Sequence, residues 1–137
     1  MLATLKSLCD ENRLRLLNIL MHYELCVCEI EVLLGLSQSN VSRHLGILRN
    51  QKLISGSKDG QWVHYKVDAR FSEENALLIA YLKQGFEREE VFIQDLERCK
   101  VYKESSLSCQ EITSDKASVE AYIQQRVSAQ KDAQIGT

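Results

Sequence analysis

Two cysteines one residue apart, Cys26 and Cys28 in the stretch ELCVCEI, are the residues of this chain best suited to chemistry. Thiolates select soft ions. Arsenite and antimonite take three thiolates in a pyramid, whereas zinc, cadmium and lead accept three or four ligands with nitrogen or oxygen among them. A bridge between the two cysteines is disfavoured, because near neighbours in sequence seldom meet the disulfide torsions without strain. The chain has five cysteines, an odd number that also speaks against a disulfide framework. In a regular helix residues i and i+2 point about 200° apart, so one ion could join Cys26 and Cys28 only where a helix start unwinds by half a turn. Binding would then bend that helix.

The elements that must position this pair follow from the hydrophobic spacing. Residues 2–8 read as a short first helix, and Asp10 as the cap of a second over residues 11–22. A third is expected over 27–34, with Val27, Ile30 and Leu34 on one face and Gly35 ending it in the left-handed conformation. Ser37 caps a fourth, residues 38–51, whose buried stripe is Val41, Leu45 and Leu48. Two helices joined by a short Gly-containing turn make a helix-turn-helix. Residues 53–57, the turn Lys58-Asp59-Gly60 and residues 61–67 then read as a β-hairpin. The fold class is therefore mainly α: a winged helix-turn-helix with a two-stranded hairpin as its wing.

Residues 72–100 read as one long helix, about 43 Å at 1.5 Å per residue. A helix of that length is expected to pack on a second copy, giving a homodimer through the terminal helices. Residues 103–116 read as a polar loop, and Val119, Tyr122, Ile123 and Val127 as a weak last helix before a frayed end. The chain thus divides into a DNA-binding and dimerisation domain, residues 1–102, and a C-terminal extension, 103–137, partly helical or flexible.

The fourth helix carries the second candidate site. Opposite Val41 lie Ser39, Ser42, Arg43, Gly46 and Asn50, with Gln38 and Asn40 beside them at the helix start. Small polar residues around one arginine suit a helix in the major groove, where Arg reads guanine and Ser or Asn meets base edges or phosphate. Lys58 at the hairpin turn and Lys66 on its second strand are the expected phosphate contacts, while Trp62 and Tyr65 anchor the hairpin. His44, on the flank of the buried stripe, reads as a packing residue. The charge distribution agrees: the net charge is −2, yet residues 36–70 hold six cations against two carboxylates. Such a local basic zone on an acidic chain is the footprint of a directed contact, here with double-stranded DNA.

No apolar run approaches the roughly 20 residues needed to span a membrane, and the charged N-terminal stretch is not a signal peptide. A cytoplasmic address with reduced thiols and no membrane partner is expected. Neither a phosphate-binding loop nor a Cys-x-x-Cys on a βαβ pattern is present, so no enzyme is expected.

The motifs ENRLRLLNIL, ELCVCEI, LSQSNVSRHLGILRNQKLI and DGQWVHYKV, in that order over roughly residues 5–70, resemble the arsenic-repressor (ArsR/SmtB) family of winged-helix metalloregulators. The likeness is nearest to its arsenite-responsive repressors. It implies a homodimer that represses from operator DNA and leaves it when As(III) or Sb(III) binds, with no organic cofactor. Cadmium or lead sensing is the alternative within the family. A thiol-based redox or polysulfide sensor, bridging Cys28 and Cys99, is another.

The arsenite repressors of the family carry a further cysteine three positions after the second, where this chain has Glu31. The third ligand beside Cys26 and Cys28 is therefore expected from Cys99, which shares an inward stripe with Phe92 and Leu96. Cys109 and Cys9 are its substitutes, and His22 reads as an ordinary helix-end histidine. The family's zinc site, built from Asp and His on two long helices, is not expected, because no histidine follows His64.

Arg43→Ala is expected to weaken specific operator binding by about 1–3 kcal/mol, because it removes a base-edge contact. Lys58→Ala is expected to weaken specific and non-specific DNA alike and to flatten the salt dependence by about one unit of slope. Parallel titrations of operator and random duplexes over a salt series check both, and equal losses on the two duplexes for Arg43→Ala would remove it from base reading.

Overall fold

A computed structural model describes residues 1–135; residues 136 and 137, the end of the expected extension, lie outside the described residues. Helices α1 (Leu2–Leu8) and α2 (Glu11–Leu20) meet at Asp10, whose carboxylate accepts from the Arg13 backbone N–H at 3.1 Å. Helix α3 (Val27–Leu34) stops at Gly35, whose φ of +66° lets the chain turn left-handed without a Cβ clash. Helix α4 (Gln38–Asn50) starts on Ser37, whose hydroxyl accepts from the Asn40 N–H at 3.3 Å. These are the expected helices and caps.

Strands β1 (Ile54–Asp59) and β2 (Trp62–Val67) pair antiparallel, with Ile54 opposite Val67 and Asp59 opposite Trp62. Gly60, at φ +63°, makes the tight reversal between them. Leu25, just before α3, adds a bridge to the outer side of the hairpin. Its N–H donates to the Tyr65 carbonyl at 3.1 Å, and the Tyr65 N–H donates back at 2.8 Å.

The single long helix expected over 72–100 is instead three: α5 (Ala69–Glu74), α6 (Ala76–Arg88) and α7 (Glu90–Glu104). Asn75 leaves the helical conformation, with its side-chain amide donating to the Phe71 carbonyl at 3.1 Å. Glu89 is extended (φ −89°, ψ 131°). The second break has a packing cause. Six residues apart on one straight helix, Phe86 and Phe92 would point about 120° apart. The bend lets both bury and meet edge to face, with ring centroids 4.8 Å apart.

The expected polar loop over 103–116 is also corrected, because α7 runs on to Glu104 and a further helix, α8 (Cys109–Ser114), follows. Ser108 and Glu111 close a capping box at its start. The last helix, α9 (Lys116–Ile135), is 20 residues long and buries Val119, Ile123 and Val127. These side chains, with Tyr102 and Ile112, join Leu16, Ile30, Leu33, Val41 and Leu48 in one hydrophobic core. By contrast Leu77 and Tyr81 on α6, and Met1 and Leu2 at α1, stand exposed. None of the described helices is long and apolar enough to cross a membrane.

Helix α7 is fixed to this core by Asp95, which is fully buried. Arg15 of α2 grips its carboxylate with two bonds, of 2.8 and 2.9 Å, and Arg98 donates to it as well. Both guanidiniums also serve the end of α3. Arg98 donates to the Leu33 carbonyl at 2.8 Å and Arg15 to the Leu34 carbonyl at 3.1 Å. These carbonyls have no acceptor role left inside the helix, and cations suit that end of its dipole. Asp95→Ala is expected to cost about 3–5 kcal/mol, the range for opening a buried ion pair. Arg70→Ala, which breaks the exposed Arg70–Glu74 pair, is expected to cost far less, because water already solvates both partners. Urea unfolding of the two variants measures the contrast.

Candidate metal centre and nucleic-acid face

Cys26 is the N-cap of α3, with extended backbone (φ −95°, ψ 170°), and Cys28 is the second residue inside the helix. Because the helix begins only at Val27, the two side chains are not held 200° apart. Their sulfurs lie 3.3 Å from each other. The expected unwinding is thus unnecessary: the chain already leaves helical geometry at Cys26. The third sulfur is that of Cys109, the first residue of α8. The sulfurs of Cys26, Cys28 and Cys109 all lie within 4.8 Å of one another.

Cys26 and Cys109 touch sulfur to sulfur, as in a disulfide, across 83 residues of sequence. Their Cα atoms are 7.8 Å apart, wider than the roughly 4.4–6.8 Å that disulfides ordinarily span. The backbone frame suits sulfurs converging on a common point better than a relaxed bridge.

Cys99, expected as third ligand, does not join this group. It is fully buried on α7, and burial with the nearby Asp95 pushes its thiol up to about 12. Cys9 is exposed at the end of α1, also outside the group. Glu31, at the position where the resemblance implied a third cysteine, pairs with Lys116 of α9 at 3.5 Å.

One participant was not anticipated. Glu29 is buried, and its Oε1 accepts from the Cys26 backbone N–H at 3.0 Å and from the Cys26 thiol at 3.2 Å. Its Oε2 accepts from the phenol of buried Tyr102 on α7. Burial, then this bond to Glu29, raises the Tyr102 pKa far above the ordinary phenol value. Burial and the Glu29 charge likewise push the Cys28 thiol up to about 11. The C-x-C-E spacing is a capping-box signal with cysteine in the serine position, and it could have pointed to Glu29.

On α4, Gln38, Ser39, Asn40, Ser42 and Arg43 are all exposed and share a solvent face with Asn50, as the spacing predicts. His44 is buried, with its Nδ1 3.3 Å from an Arg13 nitrogen. Burial holds its imidazole below the ordinary pKa, so the ring is neutral and that nitrogen can accept. Lys58 is exposed near the tip of β1. Lys66 lies on the wing as expected but reaches Glu24 at 3.5 Å. Trp62 and His64 line an open cleft of about 660 Å³ with Ser108, Cys109 and Gln110.

Comparison with known proteins points to one family. Residues 10–55 match the family described as bacterial regulatory protein, arsR family. The chain is 44% identical over 63 residues to the arsenical resistance operon repressor of Escherichia coli strain K12, covering 45% of this chain and 54% of that one. It is 41% identical over 61 residues to the cadmium resistance regulatory protein CadC of Listeria innocua, covering 44% and 51%. Among solved structures, reduced HlyU from Vibrio cholerae aligns with a TM-score of 0.51 at 34% identity, covering 59% of this chain and 85% of that one. The chain spans about half the length of the curated relatives it matches.

The raised thiols give a direct test of the geometry. In reduced native protein at pH 8, Cys9 is expected to alkylate, while Cys28 and Cys99 stay in the unreactive thiol form. A raised pKa means the thiolate appears only as pH climbs, so Cys28 labelling should grow toward pH 11 and Cys99 labelling later still. Peptide mapping after iodoacetamide treatment reads the order; fast labelling of Cys99 at pH 8 would contradict its placement.

Proposed function

Because the chain belongs to the arsR family of bacterial regulatory proteins, we propose that it is a transcriptional repressor that grips operator DNA as a homodimer and releases it when trivalent arsenic or antimony binds Cys26, Cys28 and Cys109. The observation that carries this is the three-sulfur group at the start of α3. With metal–sulfur bonds of about 2.3 Å, sulfurs at the Cys26–Cys28 spacing subtend roughly 90°, a pyramidal rather than tetrahedral angle. No fourth His, Cys, Asp or Glu joins the group among the described residues. Glu29 is near, but both of its oxygens are committed to Cys26 and Tyr102. A three-sulfur pyramid suits a trivalent metalloid, whereas zinc and cadmium sites commonly take a fourth ligand.

Proton bookkeeping favours the same ion. Arsenous acid brings three hydroxides, and these take up the three thiol protons to leave as three waters. Arsenic binding therefore releases no net proton. A bare divalent ion must expel each proton from a thiol, and the raised Cys28 thiol resists. Cadmium capture should thus strengthen with pH while arsenite capture stays flat.

DNA reading is assigned to Gln38, Ser39, Asn40, Ser42 and Arg43 in the major groove, with Lys58 and Lys66 on phosphate. The exposed apolar residues of α1 and α6 form the dimer face, so that two recognition helices meet successive major grooves about 34 Å apart. Residues 1–102 are the reading and dimerising unit, and residues 103–137 supply the third thiol. A second reading rests on the Cys26–Cys109 contact. Two-electron oxidation of that pair by a peroxide would make a redox sensor. The wide Cα frame requires backbone movement to relax such a bridge, which favours the ion.

X-ray absorption on the arsenite complex, under strong reductant, tests the assignment. Three sulfurs are expected around arsenic in the unmodified chain and in Cys99→Ser, and two in Cys109→Ser, with arsenite-triggered operator release lost in Cys26→Ser and Cys28→Ser. Between pH 6 and 8 the arsenite affinity should hold steady, while cadmium affinity rises roughly tenfold per pH unit for each proton expelled. Three sulfurs in Cys109→Ser, or operator release by cadmium but not by arsenite, would overturn the reading.

A further inference from the structure

We infer that Leu25 and Tyr65 are positioning residues that carry the state of the thiol centre to the wing, so that ion binding loosens DNA chiefly by withdrawing the wing's phosphate contacts. This rests on the repressor reading above and names the output of the same site. Three consecutive residues make the connection. Glu24 pairs with Lys66 on β2 at 3.5 Å. Leu25 exchanges two backbone hydrogen bonds with Tyr65. Cys26 belongs to the thiol group. From an ion-binding sulfur to the wing is therefore one residue of extended backbone, about 3.8 Å between α-carbons.

The hairpin is built to move as one piece. Its strands pair without a bulge from Ile54–Val67 to Asp59–Trp62. The Tyr65 ring lies so close over Gly56 of β1 that a Cβ there would come within 3.0 Å of it. A displacement at Tyr65 thus reaches both strands, and with them Lys58. Helix α8, which brings Cys109, faces the wing directly, because Ser108, Cys109 and Gln110 share the open cleft with Trp62 and His64.

The competing route runs through α3 into α4, and two observations weigh against it. Cys26 already lies outside the helix, so drawing its sulfur onto an ion need not unwind α3. The far end of α3 is pinned by charge-assisted bonds from Arg98 and Arg15, themselves fixed on buried Asp95. Motion at Cys26 has a freer outlet behind it, in Leu25, than ahead of it.

The test compares full-length reduced protein with Lys58→Ala and Arg43→Ala, measuring operator affinity without and with sodium arsenite. If the wing is the output, Lys58→Ala loses a contact that ion binding would have removed anyway. The arsenite effect should then shrink by the same factor that the substitution costs the ion-free protein. Arg43→Ala should weaken both forms equally and keep the arsenite effect within about twofold. Trp62, the chain's one tryptophan, sits on β2 and should change its emission when arsenite is added to DNA-free protein. A full arsenite effect in Lys58→Ala, a loss in Arg43→Ala as large as in Lys58→Ala, or unchanged Trp62 emission in protein that releases DNA would overturn the inference. No arsenite effect in the unsubstituted protein would instead bring down the repressor reading beneath it.

Discussion

The buried carboxylate of Asp95 organises this molecule. With no access to water it must be met by cations, and the two that meet it come from different helices, Arg15 on α2 and Arg98 on α7. Each guanidinium has donors to spare, and each turns them to a carbonyl at the end of α3. The need to neutralise Asp95 and the need to cap α3 are thus met by the same side chains. The direction of α7 follows. Asp95, Cys99 and Tyr102 lie four and three residues apart on one inward face, which brings the Tyr102 phenol to Glu29 and the turn after α7 back toward Cys26.

That chain of contacts explains where the sequence was readable. Elements whose capping residues and apolar periods agree could be drawn from the residues alone: Asp10 before α2, Gly35 after α3, Ser37 before α4, and Asp59-Gly60 in the hairpin. The polar face of α4 followed from the same period, and Gln38, Ser39, Asn40, Ser42 and Arg43 are exposed as expected. The segment from 72 to 100 could not be drawn in this way. It contains no proline, and its one glycine precedes the bend at Glu89 without forming it, so local preference favours one rod. What breaks it is tertiary: Phe86 and Phe92 gain burial together only if the chain turns between them. Residues 103–116 failed for the opposite reason. Their composition is polar, but Ser108 and Glu111 at capping-box spacing were a local signal that outweighed it.

The third sulfur shows the limit most clearly. Helical periodicity correctly put Cys99 on the inward face, yet facing inward and facing Cys26 are different properties. Cys99 is buried beside Asp95, whereas Cys109 reaches the group only because α7 folds back and α8 starts where it does. Nothing within the ELCVC motif encodes a partner 83 residues from Cys26. Position 31, three residues after Cys28, holds a carboxylate tied to Lys116 of α9. The C-terminal helices therefore meet α3 twice, bringing a sulfur to its start and a cation to Glu31.

A centre assembled this way has a consequence for how two chains would share one signal. All three sulfurs belong to a single chain, so in the proposed repressor ion capture would not require the dimer, whereas reading a two-fold operator would. Each protomer would then hold its ion without a ligand from its partner, and the two would meet through their shared interface and the DNA. Thermodynamic linkage makes that meeting reciprocal: if the ion lowers operator affinity by some factor, operator DNA lowers ion affinity by the same factor. A repressor seated on its operator would thus be less sensitive to the ion than the free one. The free pool would fill first, and ion-loaded chains would rebind poorly. A third ligand on α8 rather than on a neighbouring subunit would separate the sensing step from the assembly step, and the DNA would couple the two.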